Sequence, residues 1–485
     1  MFEITLVTCL LFIALLAGSV WIGLSLFATG YVLLSIFKPN IPMDIFSSGV
    51  IWGSIIPTPL LSLPLFILMS EVLVAAGLGR SLFSGLAPWL GRFPGGLLHI
   101  NVVGSALFAA VSGSSAATTA IVGKVSLPEL QSRGYDRKLS IGSLAGAGTL
   151  GFLIPPSIIM IIYGVVAEVS ILELFVAGVV PGLALAGLYM AYIALHQIFT
   201  GSQPQQNRQD WSARIRGIRD IGPIIGLIAL IMGSLYGGLA SVTELSAVGV
   251  LGAVLISIAT GRFSLSAMIR AGRRAVRTSA MIGLIIIGAA LLNSAFGFLG
   301  IPKAISGEIA ELGLSPLLLI AVLLVFYTIL GMFLDGTSII VMTLPITLPL
   351  VTAAGYDPIW FGIFIVVAVE ISQITPPIGF NLFVIQSQTG EPIGTIARAA
   401  LPFFFLLLAF ALLLSIFPQL ALWLPGPLDD DVARENSQEY SRTDKCGSSQ
   451  SWWAVAAGRG FCGGAWCQST DLKAGIRRFG GSWSP

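Results

Sequence analysis

Long apolar segments, separated by short segments rich in polar residues, glycine and proline, repeat along most of this chain. Each is long enough to cross a bilayer as a helix or a pair of helices, since one span needs about 20 apolar residues. They recur from about residue 5 to residue 424, so the pattern predicts an all-α polytopic membrane protein. The segments cover residues 5–37, 49–79, 97–127, 139–167, 172–199, 221–260, 279–298, 314–352, 359–389 and 396–424.

Four of these segments are interrupted by helix-breaking residues. Two contain a Pro-Pro pair, and a proline inside a helix removes a backbone donor and clashes with the preceding turn. The other two are interrupted by small and hydroxyl-bearing residues, at 112–115 and 335–338. We expect the first pair to form broken helices and the second pair to form helical hairpins. In chain order these are a hairpin near 97–127, a broken helix at 139–167, a hairpin near 314–352 and a broken helix at 359–389.

The interruptions repeat with a single spacing. Pro155-Pro156 and Pro376-Pro377 are 221 residues apart, and two Gly-Tyr-Asp triplets, at 134–136 and 355–357, share this spacing. A common spacing between unlike motifs indicates a duplication. The predicted organisation is a first repeat at 1–205, a basic linker at 206–220, a second repeat at 221–426 and a tail at 427–485. We expect the tail to be disordered, because it has no periodic apolar pattern.

Basic residues are distributed differently around the two predicted hairpins. They flank the first hairpin on both sides, whereas residues 353–360, after the second hairpin, include none. Because Lys and Arg concentrate in cytoplasmic loops, the first hairpin is expected to be re-entrant from the cytoplasm and the second from the periplasm. Opposite sidedness of two matching halves is an inverted repeat, in which broken helices mark the binding site. The basic residues around the first hairpin are Arg80, Arg92, Lys124, Arg133, Arg137 and Lys138.

Composition and motifs exclude several other classes of function. The chain is 55% hydrophobic and 10% charged with a formal net charge of +2, and topology accounts for its arginine clusters, so we expect no nucleic-acid partner. Two histidines and four cysteines without CxxC spacing predict neither a metal cluster nor a disulfide framework. No GxxxxGK[ST] motif and no nucleophile–base arrangement is present, so we expect no enzyme activity and no cofactor.

The hairpin tips and the helix breaks contain the residues that could bind an ion or a substrate. Unwound backbone at membrane depth is tolerated where it lines a cavity, and its carbonyls, with nearby hydroxyls, suit Na⁺. Half-helix N-termini suit an anionic substrate group. The competing interpretation is that small residues at 112–119 only allow close helix packing. The candidate residues are Ser112, Gly113, Ser114, Ser115, Thr118, Thr149, Gly151, Pro155, Ser157, Asp335, Gly336, Thr337, Ser338, Thr375, Pro377, Gly379 and Asn381.

Acidic residues inside apolar segments are functional candidates, because a charge in the membrane is costly. Asp335 ranks first, since it is next to Gly336 at a tip, and Glu370 ranks second, about one turn before Thr375. The other acids lie nearer segment ends, and we interpret them as helix caps or ion-pair partners. They are Glu71, Glu173 and Glu244.

Taken together, these motifs resemble the large permease subunit, the DctM type, of tripartite ATP-independent periplasmic (TRAP) transporters. The resemblance covers about residues 1–426. It implies an elevator-type member of the ion-transporter superfamily, in which a transport domain with two re-entrant hairpins and two broken helices slides against a scaffold. The motifs are Ser112-Gly113-Ser114-Ser115-Ala116-Ala117-Thr118, Gly148-Thr149-Leu150-Gly151, Ile154-Pro155-Pro156-Ser157, Leu334-Asp335-Gly336-Thr337 and Thr375-Pro376-Pro377-Ile378-Gly379-Phe380-Asn381.

The resemblance also implies a function and partners. It implies Na⁺-coupled import across the bacterial cell inner membrane, with Na⁺ at Gly113, Ser114 and Ser115 and again at Gly336 and Thr337. A periplasmic solute-binding protein of the DctP type would deliver an organic acid, such as a C4-dicarboxylate or sialic acid. A small four-helix membrane subunit of the DctQ type, expected as a separate chain, would complete the complex. A Na⁺/dicarboxylate symporter that needs no binding protein and, from a different class, a channel are the alternatives.

Overall fold

The computed structural model describes residues 2–200, 211–311, 314–376 and 379–425, together with 461–462 and 465–466. The chain forms two compact units, Met1–Pro425 and Gly426–Pro485. In the second unit the described residues are two short antiparallel strands, Phe461–Cys462 and Ala465–Trp466. The rest of the tail lies outside the described residues, so its disorder stays a prediction.

The first unit is helical, as the apolar pattern predicts. Among the described residues, seven helices are long and apolar enough to cross a membrane, which supports a multi-pass membrane protein. The first half contains α1 (Phe2–Ala17), α2 (Ile22–Phe37), α3 (Met43–Ile55), α4 (Ser62–Ala75), α5 (Leu78–Leu90), α6 (His99–Ser112), α7 (Ser115–Ser132), α8 (Arg137–Gly148), α9 (Ile158–Val166) and α10 (Ile171–Thr200).

The second half contains a further set of helices within the same unit. Its fully buried helix is α17, in which every residue from Ile359 to Gln373 is buried. The helices are α11 (Trp211–Tyr236), α12 (Val242–Ala259), α13 (Leu265–Leu299), α14 (Ile301–Glu311), α15 (Pro316–Leu330), α16 (Gly336–Ala353), α17 (Pro358–Gln373), α18 (Phe380–Thr389), α19 (Ile393–Ile416) and α20 (Gln419–Leu422).

Helix bounds differ from several of the expected segments. The apolar segment at 5–37 is two helices, because the chain turns between α1 and α2 with Ser19 at φ +59°. Helix α11 begins at Trp211, inside the segment 206–220 that the sequence assigns to the basic linker. Arginine is a good helix former, and the Arg214 guanidinium lies 5.5 Å from the Trp89 ring centroid and 5.0 Å from that of Trp211. Residues 201–210 lie outside the described residues.

The bounds of the helices follow the spacing of the sequence repeat. Helix α7 begins at Ser115 and ends at Ser132, and α16 begins and ends 221 residues further on, at Gly336 and Ala353. Helices α8 and α17 begin with the same spacing. Because both ends of α7 match both ends of α16, these two helices have the same length as well as the spacing of the sequence motifs.

Glycines allow two helices outside the hairpins to pack closely. A Cβ at Gly288 of α13 would lie 2.0 Å from the carbonyl oxygen of Gly23 in α2. Small residues let helix backbones approach in this way, and van der Waals packing then holds them together in a membrane. One polar contact joins α13 to the second hairpin, because the Asn293 amide donates to the Val341 carbonyl of α16 at 2.9 Å.

Candidate functional site

The first hairpin tip, residues 112–115, is a tight turn between α6 and α7. Gly113 ends α6 with φ +57°, and the Ser114 hydroxyl caps α7 by accepting a backbone amide of its first turn at 3.4 Å. The hydroxyl oxygens of Ser112 and Thr118 lie 3.0 Å apart across the turn. A Cβ at Gly113 would lie 2.8 Å from the carbonyl oxygen of Pro156, so glycine lets this tip touch the broken helix.

The first break, residues 149–157, lies against this tip. Helix α8 tightens into a 3₁₀ turn at Thr149–Gly151, and the chain then passes through the cis bond between Pro155 and Pro156. Ser157 caps α9 by accepting a backbone amide at 3.4 Å. The amide that follows, at Ile158, donates to the Gly113 carbonyl of the tip at 3.3 Å. The predicted tip and break of the first half are therefore in direct contact.

Ser115 is the residue at which the first tip, the first break and the second half meet. Its hydroxyl oxygen lies 3.0 Å from the Gly148 carbonyl oxygen and 2.7 Å from Oε2 of Glu370. It also accepts a hydrogen bond from Nδ2 of Asn381 at 2.8 Å. The side chain is completely buried, and a Cβ at Gly151 would lie 2.4 Å from its Cα.

Glu370 is a buried carboxylate of α17 that bonds to the first half. Besides the Ser115 hydroxyl, it accepts the Phe152 backbone amide on Oε1 at 3.0 Å. The residue is 1% exposed and takes part in none of the ion pairs that the described residues form. A carboxylate at membrane depth without a basic partner is costly to desolvate, so it is a candidate for binding a cation.

In the second hairpin tip, residues 331–338, the acidic residue Asp335 forms its hydrogen bonds within the helix that follows it. Asp335 caps α16: its Oδ2 accepts the backbone amides of Thr337 and Ser338 at 3.1 and 3.3 Å, and its Oδ1 accepts the Ser338 hydroxyl. Asp335 is half-buried, whereas Thr337 and Ser338 are buried. This acid is therefore first a helix cap, because each of its oxygens has a partner in the first turn of α16.

The second break, residues 374–379, connects α17 to α18. The Thr375 hydroxyl bonds back to the Ile371 carbonyl at 2.6 Å, and the Gly379 amide donates to the Thr375 carbonyl at 3.0 Å. Pro377 lies outside the described residues. Among the described atoms, no hydrogen bond joins residues 335–338 to the second break, whereas the Ile158 amide joins the first break to the first tip.

A cavity of about 390 Å³ lies between the two tips. On its far side are α4 and α13, where Glu71 lines the wall and accepts a hydrogen bond from Nε of Arg274 at 2.5 Å. A cavity between two hydroxyl-rich turns, closed by a separate pair of helices, can hold a small polar molecule. The tips contribute Ser112, Ser114, Asp335, Gly336 and Thr337 to the wall, and the second break is flanked there by Gln373 and Phe380.

Sequence reasoning named most of these residues but not their partners. It placed Glu370 and Asn381 beside the second break, whereas their side chains bond to Ser115 of the first tip. It also missed the Gly148 carbonyl and the Phe152 amide, because backbone groups carry no residue-type signal. Glu71 was interpreted as a cap or an ion-pair partner, and it does form an ion pair, with Arg274 at the cavity wall.

Comparisons with known proteins point to one family. The family model of the tripartite ATP-independent periplasmic transporter, DctM component, matches residues 9–420. The C4-dicarboxylate TRAP transporter large permease protein DctM of Pseudomonas aeruginosa is 35% identical over 370 residues, which are 76% of this chain and 86% of that protein.

The names of two other relatives state different substrates. The ectoine/5-hydroxyectoine TRAP transporter large permease protein UehC of Ruegeria pomeroyi is 31% identical over 76% of this chain and 86% of that protein. The sialic acid TRAP transporter large permease protein SiaM of Vibrio cholerae is 27% identical over 78% and 89%. Among solved structures, the Alcanivorax borkumensis YdaH transporter shares the fold, with a TM-score of 0.54 at 16% identity over 78% of this chain and 88% of that chain.

The multi-pass helical fold, the central cavity and these relatives define a membrane transport permease and not an enzyme. More specifically, the chain belongs to the DctM family of TRAP transporter large permeases, as the sequence motifs predict.

Proposed function

We propose that this chain is the large membrane subunit of a Na⁺-coupled TRAP importer that takes up an organic acid across the bacterial inner membrane. The observation that carries the proposal is the pairing of a buried oxygen cluster around Ser115 with a cavity that both tips line. In this function a periplasmic binding protein delivers the substrate, and a small four-helix membrane subunit completes the complex.

Oxygen chemistry at the first tip supports Na⁺ coupling. Three oxygen-bearing groups meet in a buried place. The Ser115 hydroxyl lies within hydrogen-bond distance of both the Gly148 carbonyl and the Glu370 carboxylate. A hard cation prefers such oxygen ligands, and it offsets the charge of the acid. The second ion is proposed at Gly336 and Thr337, where an unwound tip faces the cavity.

An elevator of two inverted repeats is the proposed means of transport. It is supported by the shared 221-residue spacing of α7 and α16 and by the contrast in basic residues around the two hairpins. The hairpins and broken helices would move as the transport domain. Helices such as α2 and α13, which pack closely through glycines, would form part of the scaffold.

A carboxylate substrate is favoured by the cap of the first tip. The N-terminus of α7 faces the cavity with the neutral Ser114 as its cap, so the cap itself does not cancel the positive dipole end. The Na⁺ proposed at Ser115 would offset the charge of Glu370. At the second tip, Asp335 cancels the corresponding field. We therefore propose that an acidic group of the substrate, such as a C4-dicarboxylate or sialic acid, binds at the first tip.

The test is uptake in proteoliposomes containing this chain, its small subunit and the matching binding protein. We expect uptake only with an inward Na⁺ gradient, and a strong loss in Ser115→Ala and in Thr337→Ala. The matched control is Gly226→Ala, at a position where a Cβ would meet nothing within 4 Å. Uptake that survives both Na⁺ removal and the two substitutions would overturn the proposal. Uptake without the binding protein would indicate the symporter instead, and conductance without coupling would indicate a channel.

A further inference from the structure

Both flanks of the second break are tied to one hydroxyl group of the first tip. Glu370 lies in the last turn of α17, before the break, and Asn381 lies in the first turn of α18, after it. Both bond to the Ser115 hydroxyl, at 2.7 and 2.8 Å. Any movement of Ser115 is therefore transmitted to the two ends of a segment that belongs to the other half.

The bonds around Ser115 leave more acceptors than donors. The hydroxyl has one proton but faces two acceptors, the Gly148 carbonyl and the Glu370 carboxylate. The Oδ1 atom of Asn381 is buried and has no hydrogen-bond partner among the residues that the structure describes. Buried polar atoms are normally paired, so a surplus of oxygen atoms in one place is an arrangement that a bound cation would complete.

One turn of α17 also contacts the second tip. A Cβ at Gly331 would lie 2.0 Å from the Ser372 hydroxyl oxygen, and a Cβ at Gly336 would lie 2.8 Å from the Val369 side chain. Glu370, between these two contact residues, bonds to the first tip. Because α17 is buried along its length, it is a rigid element that both tips touch within four consecutive residues.

We propose that Glu370 is a positioning residue that couples the two tips, so that ion binding at the first tip orders the second tip and the two ions bind cooperatively. The inference rests on the proposed Na⁺ coupling and adds its regulation. An ion that immobilises Ser115 also immobilises Glu370 and Asn381, and α17 then restricts the second tip. A second ion that binds at this tip therefore loses less conformational entropy than it would without the first ion. Two sites that bias one shared element are coupled, and the coupling acts equally in both directions.

The experiment measures hydrogen exchange at each tip as Na⁺ is added, with K⁺ keeping the ionic strength constant. Peptides that cover residues 108–118 and 331–341 report the tips separately in the purified full-length chain. In the wild type we expect both peptides to gain protection at one shared Na⁺ midpoint, with a Hill coefficient above one. In Glu370→Gln we expect the two midpoints to separate by about tenfold, within the usual range of coupling between sites.

The matched control is Glu391→Gln, which makes the same change in an acid that pairs with Arg137 outside this cluster. We expect its two midpoints to stay together. If Glu370→Gln does not yield folded protein, Asn381→Ala removes the other tie to Ser115, and the midpoints should separate there too.

Each outcome separates the coupling from the proposed function. If Na⁺ protects neither tip of the wild type, the proposed ion coupling fails, and the cooperativity fails with it. If both tips of the wild type are protected but the midpoints stay together in the folded Glu370 or Asn381 variant, Na⁺ binding stands and the role of Glu370 is overturned. A purely structural role for Glu370 would lower the protection of both tips at every Na⁺ concentration without separating the midpoints.

Discussion

The two hairpin tips occupy matching places in the sequence repeat, but one has a neutral helix cap and the other has an acidic one. Ser114 caps α7, and 221 residues further on Asp335 caps α16. The same spacing relates Thr149 in the first break to Glu370 in α17. Both acids thus belong to the second half, and both of their counterparts in the first half are neutral hydroxyl residues.

Under the proposed function, this difference means that the two tips contribute unequally to one site. Asp335 uses its oxygens within its own helix, whereas Glu370 reaches the first tip through Ser115. The first tip therefore obtains its negative charge from the other half, because its own cap, Ser114, is neutral. A duplicated backbone with an unequal charge distribution can offer an ion and an anionic substrate different surroundings in one cavity.

The largest effect is expected from Gly151→Ala, which tests the contact between the first tip and the first break. The new Cβ would lie 2.4 Å from the Cα of Ser115, and backbone cannot give way as a flexible side chain does. Overpacking of this kind costs about 1–3 kcal/mol, so we expect Na⁺-driven uptake to fall by up to roughly a hundredfold. Gly226→Ala is the control, in which both uptake and folding should be unchanged. Normal uptake in Gly151→Ala would show that this contact is not needed for transport.

The next effect tests the unequal caps directly. Ser114→Asp would give the first tip the acid that the second tip has, and the charge would weaken anion binding at the α7 N-terminus. A charge at a helix end is worth about 0.3–2 kcal/mol, so we expect the substrate KM to rise by roughly tenfold. Ser114→Asn is a neutral N-cap of equal quality and should keep the wild-type KM. Equal KM values in the two variants would argue against a carboxylate at this tip.

A smaller effect is expected when the charge of Asp335 is removed. Asn is as good an N-cap as Asp, so Asp335→Asn should keep α16 intact and change uptake by only a few fold. Asp335→Ala removes the cap and should lower the free energy of unfolding by about 1 kcal/mol, measured by thermal unfolding in detergent. Glu370→Gln should impair Na⁺-driven uptake more than Asp335→Asn does. The reverse order would mean that the second tip, and not α17, carries the essential charge.

The turns of the site could be predicted from the sequence because their causes are local. Glycine at 113, Asp335 and the Pro-Pro pairs each act on neighbouring backbone, and helices end or begin close to them. Helix α6 ends at Ser112, α16 begins at Gly336 and α17 ends at Gln373. The 221-residue spacing also predicted which motif of the first half corresponds to which motif of the second half. The short helices α5 and α14 were not predicted, because they fall in segments interpreted as loops between apolar blocks.

The partners of the site could not be predicted because they depend on tertiary packing. Ser115 and Glu370 are 255 positions apart, and nothing in the residues near either one indicates the other. Sequence reasoning ranked Asp335 above Glu370 because Asp335 lies beside a glycine. In the structure the acid beside the glycine, Asp335, is a helix cap. The buried acid that has no basic partner among the described residues, Glu370, lies in the last turn of an apolar helix.

The smallest expected effect concerns a proline that only the second hairpin has. Pro345 lies in α16 where the first hairpin has Lys124, and because proline lacks an N–H, the Val341 carbonyl loses its helical partner. Asn293 of α13 donates to that carbonyl instead, at 2.9 Å. Hydrogen bonds between membrane helices average about 0.6 kcal/mol. In the proposed elevator, this bond would have to break as the second hairpin moves past α13, and it would slow that movement by roughly threefold.

Asn293→Leu should therefore raise the maximal uptake rate by about threefold at saturating Na⁺ and substrate, provided that sliding limits the rate. Ser294→Ala is the matched control, because among the described residues the Ser294 hydroxyl bonds within α13, to the Ala290 carbonyl at 2.8 Å. A faster rate in Asn293→Leu alone would place the moving boundary between α13 and α16. An unchanged or slower rate would mean that these two helices move together, and the second hairpin would then differ from the first in its anchorage as well as in its charge.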